Sequence, residues 1–238
     1  MRLSAIILTK NEETNIKNCL SSLGFCDEII IVCDGEIQKL KVKSEKLKVF
    51  HRHLNNDFAE QRNFGVEKAK GEWVLFVDAD EEIPKALALE VSSLPAQAGI
   101  SGFYIKRKDA TWGRAADVKL LRFAKKNSGI WKRRVHEVWD VKGRTQLLKN
   151  PLLHHSDPSL ARFIKRINFY STLHAEANLQ EGKRSTLIKI IFFPPAKFCY
   201  YLFIKLGILD GTKGFVFSLI MSFHSFLSWA KLWIKQKS

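Results

Sequence analysis

The stretch Gly71 to Glu82 constrains this chain more than any other. Five apolar residues, Trp73 to Val77, run directly into Asp78-Ala79-Asp80-Glu81-Glu82. A short continuous apolar run is the pattern of a strand buried on both faces. Asp and Glu are poor strand formers, so the strand is expected to end at Asp78. Two carboxylates one residue apart then stand at the carboxyl end of a strand, where open α/β sheets place their ligands. Hard oxygen donors of this kind suit Mg²⁺ or Mn²⁺. An ion held by few carboxylates completes its shell with phosphate and water. The competing reading is an acidic turn ahead of a helix starting near Pro84, since Asp-x-Asp is common in loops.

The residues upstream give this strand its partners. Leu3 to Leu8 reads as a first strand, followed by the polar loop Thr9 to Glu13. A helix follows, with Thr14 or Asn15 as its cap, Ile16, Cys19, Leu20 and Leu23 at helical spacing, and Gly24 as its stop. Glu28 to Cys33 is a second buried strand ending in Asp34-Gly35. Lys39 to Lys48 is a charged, partly helical connection to a short third strand, Val49 to His51. A helix from Phe58 is closed by Lys70-Gly71. The alternation predicts a mainly parallel sheet with helices on both faces and right-handed crossovers. Thr9, Asp34 and Asp78 all fall at strand carboxyl ends, so three loops should converge on one cleft.

The second half differs in charge. Residues 1–100 hold 13 Lys and Arg against 16 Asp and Glu, whereas residues 101–168 hold 17 against 5. Most of the formal charge of +15 therefore lies beyond residue 100, which points to an anionic partner there. Short strands and loops are expected around Gly102–Arg107, Trp112–Arg114, Leu120–Phe123, Ile130-Trp131, Val135–Trp139 and Leu152–His155, with a helix from Ser159 to Asn178. Leu187 to Leu206 is apolar and aromatic, broken by Pro194-Pro195. Phe215 to Ala230 carries no Lys, Arg, Asp or Glu. A spanning helix needs about 20 apolar residues, so a basic, aromatic-rich tail of this length reads as one lying in the interface. The alternatives are a tail packed on the sheet domain or a dimer contact. Cys19, Cys26, Cys33 and Cys199 form no C-x-x-C pair and read as free thiols of a reducing cytoplasm. The amino terminus enters a strand at once, without the pattern of a signal peptide.

Ala5-Ile6-Ile7-Leu8-Thr9-Lys10-Asn11-Glu12-Glu13, Asp27 to Val32, Gln61-Arg62-Asn63 and Trp73 to Glu81 occur in an order that resembles family 2 glycosyltransferases. Val135-His136-Glu137, Pro151-Leu152-Leu153-His154 and Leu209-Asp210-Gly211-Thr212-Lys213-Gly214 look like the branch with bacterial lipopolysaccharide inner-core β-1,4-glucosyltransferases. The resemblance implies an α/β GT-A (Rossmann-like) fold, a mainly parallel sheet flanked by helices, with a C-terminal apolar helical extension. The implied domains are a catalytic domain over 1–158 and a membrane-associating extension over 159–238. The catalytic domain would divide into a nucleotide-sugar half, 1–100, and an acceptor half, 101–158.

The implied reaction is inverting transfer of a hexose, glucose from UDP-glucose, to a lipid-linked core oligosaccharide at the cytoplasmic face of the inner membrane. Carried over by position, Asp80 would hold Mg²⁺ or Mn²⁺, with Asp78 against the ribose or the metal. Thr9, Glu12 and Asp34 would frame the nucleoside, and Arg62 would sit near the base or diphosphate. Glu137 would take the acceptor proton, with Asp140 second in line, and His154 could touch metal or phosphate. Three departures stand out. Cys33 occupies the family's usual Asp position, so Asp34 would have to substitute for it. Lys10 replaces a common aromatic residue. Leu120-Leu121-Arg122-Phe123 departs from the expected basic–apolar alternation. Two other functions fit the same residues: a transferase acting on polyprenyl phosphate, which needs no base, and a non-catalytic basic membrane-binding module. Nucleic acid is not expected, because no recognisable binding motif accompanies the basic segment.

Overall fold

The computed structural model describes residues 2–9, 16–35, 44–94, 99–134 and 137–237. In chain order the strands are β1 (Leu3–Thr9), β2 (Glu28–Cys33), β3 (Leu47–His51), β4 (Trp73–Asp78), β5 (Glu81–Glu82) and β6 (Ile100–Asp109). They continue with β7 (Val118–Lys125), β8 (Gly129–Lys132), β9 (Val138–Val141), β10 (Arg144–Leu147) and β11 (Leu152–His154). The helices are α1 (Ile16–Ser22), α2 (Phe58–Lys68), α3 (Lys85–Ser93), α4 (Leu160–Gln180), α5 (Leu187–Cys199) and α6 (Thr212–Lys235).

Two compact units form. One contains residues up to Arg107, Val118–Arg133 and Glu137–His155; the other contains Lys108–Asp117 and the chain from Ser156 onward. In the first, the sheet order is β3-β2-β1-β4-β7-β6-β11-β5, with β10 paired in parallel to β6. The β3-β2-β1-β4 half is parallel, as the alternation predicts. Strand β7 then joins β4 and β6 in antiparallel fashion. Strands β1, β2 and β4 are buried along almost their whole length and mostly apolar, with helices packed on both faces. Ile6, Ile7, Ile30, Ile31, Leu75 and Phe76 are fully buried, and each such side chain contributes about 1.5–3 kcal/mol.

Glu28 pins the amino-terminal edge of this sheet. It accepts from Ser4 Oγ at 2.7 Å, Lys48 Nζ at 2.6 Å and the Lys70 amide at 2.8 Å. The Gly71 amide in turn donates to Ser4 Oγ at 2.8 Å. A Cβ at Gly71 would stand 2.7 Å from the Ser4 amide nitrogen, so the approach to β4 requires glycine.

In the second unit, α4 is capped by Ser159 Oγ, which accepts from the Arg162 amide. The sequence places a break at Pro194-Pro195, but α5 runs through both prolines and continues as a π-turn over Tyr200–Ile204. Each proline removes one helical hydrogen bond. Packing of α5 along α6 keeps the helix, and Ser222 Oγ of α6 donates to the Pro194 carbonyl at 2.8 Å. The π-turn is a familiar way for a helix to absorb such an irregularity.

Candidate active site

The register of the parallel strands brings three loops together. Thr9 lies opposite Cys33, and Leu8 lies opposite Asp78. The Asp34 amide donates to the Thr9 carbonyl at 3.0 Å, closing the β1–β2 edge. Asp34 Oδ1 is 3.6 Å from His53 Nδ1. Thr9, Asp34 and Asp78 therefore share the carboxyl edge of β2-β1-β4, as their positions in the sequence predict. Glu12, the other expected nucleoside contact, lies outside the described residues.

The acidic turn is closed by its own third carboxylate. Glu81 Oε2 accepts the Asp78 amide at 2.8 Å, and the Glu81 side chain is fully buried. Two residues of strand, Glu81 and Glu82, then pair with His154 and Leu153 of β11. This pairing carries His154 across some seventy residues of sequence to Asp80. The His155 amide donates to the Asp80 carbonyl at 2.9 Å, and His154 Nε2 lies 3.2 Å from Asp80 Oδ2.

Asp78 is held by arginine on both oxygens. Arg122 of β7 contacts Oδ1 at 3.2 Å and Oδ2 at 2.5 Å, and Arg62 of α2 reaches Oδ1 at 3.1 Å. Burial alone would raise the Asp78 pKa, but the Arg122 and Arg62 charges outweigh it and hold the carboxyl well below the usual range. Arg122 feels the reverse: burial alone would lower its pKa, and Asp78 and Glu81 together raise it. Glu81 Oε1 also faces Arg122 and Arg107, each at 3.4 Å.

Arg62 is the bridge to the candidate base. Its Nε donates to Glu137 Oε1 at 2.9 Å, and its guanidinium stacks on Trp131, 4.8 Å from the ring centre. Nη1 of the same group is buried and has no hydrogen-bond partner among the described residues. The Gln61-Arg62-Asn63 run thus fixes three pieces at once. Gln61 exchanges two hydrogen bonds with Arg52, at 3.0 and 2.9 Å. Arg62 joins Asp78 to Glu137. Asn63 exchanges two with the Trp131 backbone, at 3.0 and 2.9 Å, and so holds the β8–β9 hairpin that precedes and follows Glu137. Asp140, the alternative base, lies on that hairpin with its side chain half exposed. It ion-pairs with Lys132 at 2.5 Å, and that pairing holds its pKa below the ordinary value.

The structure brings Arg62, Asp78 and Glu137 together, and Asp80 with His154. Sequence reasoning missed Glu81, Arg107 and Arg122. A signal for Arg122 was present: an arginine inside an apolar strand run is buried only if a carboxylate meets it. Both Asp78 oxygens are engaged by arginine; among the described residues, Asp80 with His154 offers one oxygen and one nitrogen donor that could hold a cation. No group of three His, Cys, Asp or Glu able to hold a metal occurs among the described residues. Cys19, Cys26 and Cys33 are buried free thiols, as their apolar settings suggest, while Cys199 is exposed. Burial pushes the Cys26 thiol up to about 12.

A parallel half-sheet joined to an antiparallel half, with an acidic turn after its central strand, is the arrangement of the GT-A fold. The chain belongs to glycosyl transferase family 2, whose model matches residues 4–163. It is 28% identical over 249 residues to the lipopolysaccharide core biosynthesis glycosyltransferase LpsC of Rhizobium meliloti (strain 1021), covering 97% of this chain and 92% of that one. An uncharacterized glycosyltransferase of Rickettsia bellii (strain RML369-C) is 28% identical over 257 residues, covering 97% and 86%. Among solved structures, the mannosyltransferase PcManGT of Pyrobaculum calidifontis, in complex with GDP-Man and Mn²⁺, superposes with a TM-score of 0.57. It is 15% identical and covers 100% of this chain and 88% of that one. S. aureus TarS 1–349 in complex with UDP-GlcNAc gives a TM-score of 0.51 at 14% identity, covering 100% and 92%.

Proposed function

We propose that this glycosyltransferase moves a hexose, glucose, from a UDP-sugar to a lipid-linked core oligosaccharide of lipopolysaccharide, with inversion at the anomeric carbon. The observation that carries the reading is the Arg62 bridge, which sets Glu137 beside the Asp78–Asp80 turn. The likeness to LpsC supports the lipopolysaccharide core acceptor, and the nucleotide-sugar complexes of TarS and PcManGT support the donor class.

Asp80 and His154 fit a divalent cation: one hard oxygen and one imidazole, 3.2 Å apart at the strand edge. Bound there, Mg²⁺ or Mn²⁺ would neutralise charge on the departing nucleoside diphosphate. The protein's own groups do the rest. Thr9 and Asp34 line the side where the nucleoside would lie. Arg122 and Arg62 hold Asp78 ionised and rigid, so that the turn is set before donor arrives. Arg62 Nη1, without a hydrogen-bond partner among the described residues, is a spare donor on the group that bridges Asp78 and Glu137. The acceptor oxygen attacks the anomeric carbon while the bond to the diphosphate breaks, its electron pair leaving on phosphate oxygen. Glu137, oriented by Arg62, receives the acceptor hydroxyl proton. The basic residues of 101–168 would meet an acceptor rich in phosphate and acidic sugar, at the cytoplasmic face of the inner membrane.

Glu137→Gln tests the base. Removing a general base costs typically 10²–10⁴-fold in rate, so kcat with UDP-glucose and a lipid-linked core acceptor is expected to fall at least 100-fold while donor binding persists. A variant with near wild-type kcat would refute the hydroxyl acceptor and favour an acceptor that is already anionic, such as polyprenyl phosphate.

A further inference from the structure

We propose that the three-helix unit α4–α6 lies in the plane of one membrane leaflet and takes lipid acyl chains into a groove between its helices, without crossing the bilayer. The proposal rests on the membrane-surface reading above and is independent of the donor chemistry.

Composition alone permits a crossing. Leu187–Ile204 and Thr212–Lys235 are 18 and 24 residues long with mean hydropathies of 1.5 and 1.3. Their apolar side chains are largely uncovered: Ile188 is 67% exposed, Phe192 62% and Ile204 72%. Between α4, α5 and α6 runs a groove of about 800 Å³, lined by Leu160, Ile164, Ile191, Leu219, Phe223 and Phe226 among other apolar residues. Lysine–aromatic pairs bracket it along the helix axes. Lys189 lies 4.8 Å from the Trp229 ring centre and Lys237 4.0 Å from that of Trp233; toward the other end Lys197 lies 5.4 Å from that of Tyr201. Such pairs keep the charge at the headgroups while the stem and ring stay apolar. Residues 187–237 hold seven lysines and one acid, Asp210. Asp210 accepts from the Arg114 amide at 2.7 Å. The exposed charge of the region therefore complements an anionic leaflet.

The packing of α4 argues against a crossing. It runs beside α6 in the same direction, from the Phe163–Phe217 contact to the Glu176–Lys235 ion pair at 3.0 Å. Between them Lys231 Nζ donates to the Asn168 carbonyl at 2.6 Å and to Ser171 Oγ and Thr172 Oγ1 at 2.8 Å each. An α6 that crossed would carry Arg162, Lys165, Arg166 and Glu176 of α4 into hydrocarbon, where charges are costly. The turn between α5 and α6 is also anchored. Lys205 Nζ donates to the Asp117 carbonyl at 2.5 Å, and a Cβ at Gly214 would collide with the Gly207 carbonyl. The Leu209-Asp210-Gly211-Thr212-Lys213-Gly214 motif thus ties the hairpin to the segment 109–117 at one end, while α4 covers its flank. The groove and the uncovered apolar side chains of α5 beside it, such as Ile188 and Phe192, are left to face lipid.

Full-length enzyme carrying Leu219→Glu and Phe223→Glu, both at exposed positions, is compared with wild type in sedimentation with phosphatidylglycerol or phosphatidylcholine vesicles. Wild type is expected to sediment with phosphatidylglycerol vesicles, and the double variant to lose at least tenfold in affinity. Slow UDP-glucose hydrolysis without vesicles should stay unchanged, and this readout separates a failed groove from a failed donor site. Lys213→Cys in the first turn of α6, which reports a hairpin crossing, and Lys237→Cys at the end of α6, which reports a single crossing, each in a Cys199→Ser background, are then treated with a membrane-impermeant maleimide in inside-out inner-membrane vesicles. Immediate labelling is expected. Protection until detergent is added would establish a crossing and overturn the proposal. So would wild-type vesicle affinity in the double variant, or a wild-type dimer in light scattering that buries the groove and binds no lipid.

Discussion

Replacing Arg122 by Met should unfold the centre of this site more than any other conservative change. Arg122 is buried and supplies two contacts to Asp78, at 2.5 and 3.2 Å, and a further contact to Glu81 at 3.4 Å. Methionine fills much of the volume and removes the charge. Asp78 would keep Arg62 alone, and Glu81 would keep Arg107 alone, with two carboxylates facing each other. Breaking a buried pair by removing one partner costs about 3–5 kcal/mol. That is a large share of a typical domain stability of about 5–15 kcal/mol. The pH dependence follows from the sign of the Asp78 shift. Its folded pKa lies below the unfolded value, so its contribution is fully present above about pH 4 and fades as pH falls toward the folded value. In Arg122→Met the folded pKa rises, and acid unfolding should begin at a higher pH. Urea unfolding at pH 7 and an acid titration followed by circular dichroism measure both effects. The Asp78→Asn, Arg122→Met cycle isolates the pair, whose coupling should exceed about 1 kcal/mol. A loss below 1 kcal/mol for Arg122→Met with an unmoved acid transition would refute this electrostatic account.

Other perturbations separate scaffold from chemistry. Asn63→Ala removes both hydrogen bonds to the Trp131 backbone and should cost about 1–3 kcal/mol. Because it frees the hairpin beside Glu137, kcat should fall more than UDP affinity, as steady-state kinetics and calorimetry would show. Glu28→Gln should lower stability by a similar amount without changing kcat. Burial raises the Glu28 pKa, but Lys48, the Lys70 amide and Ser4 more than offset this. Its contribution is therefore present above about pH 4.3 and is lost as pH falls through the depressed folded value, so the stability difference between variant and wild type should shrink in acid.

The parallel half of the fold was legible because its strands are short apolar runs bounded by turn residues, and β4 ends at Asp78 as its composition requires. The antiparallel half was less legible. Strand β7 mixes charged and apolar residues because it carries the buried Arg122, and all four residues of β10 are exposed. The candidate site divided along the same line. Asp78, Arg62 and Glu137 carry chemistry in recognisable runs, and the structure places them within one ion-pair network. Glu81 reads from sequence as one more acid after Asp80; its role depends on the turn folding its side chain back onto the Asp78 amide. His154 reaches Asp80 only through the β5–β11 pairing, a contact made by two-residue β5 and invisible to any periodicity. The prolines of α5 mark a break in sequence, yet tertiary packing against α6 overrides them.

The most direct measurement is calorimetric titration of UDP into wild type and Asp80→Ala, with and without Mn²⁺. Wild type is expected to bind UDP only when Mn²⁺ is present, and Asp80→Ala to lose that binding while retaining its fold. UDP binding that ignores the metal, or that survives intact in Asp80→Ala, would contradict the assignment of the acidic turn after β4 as the donor-phosphate site.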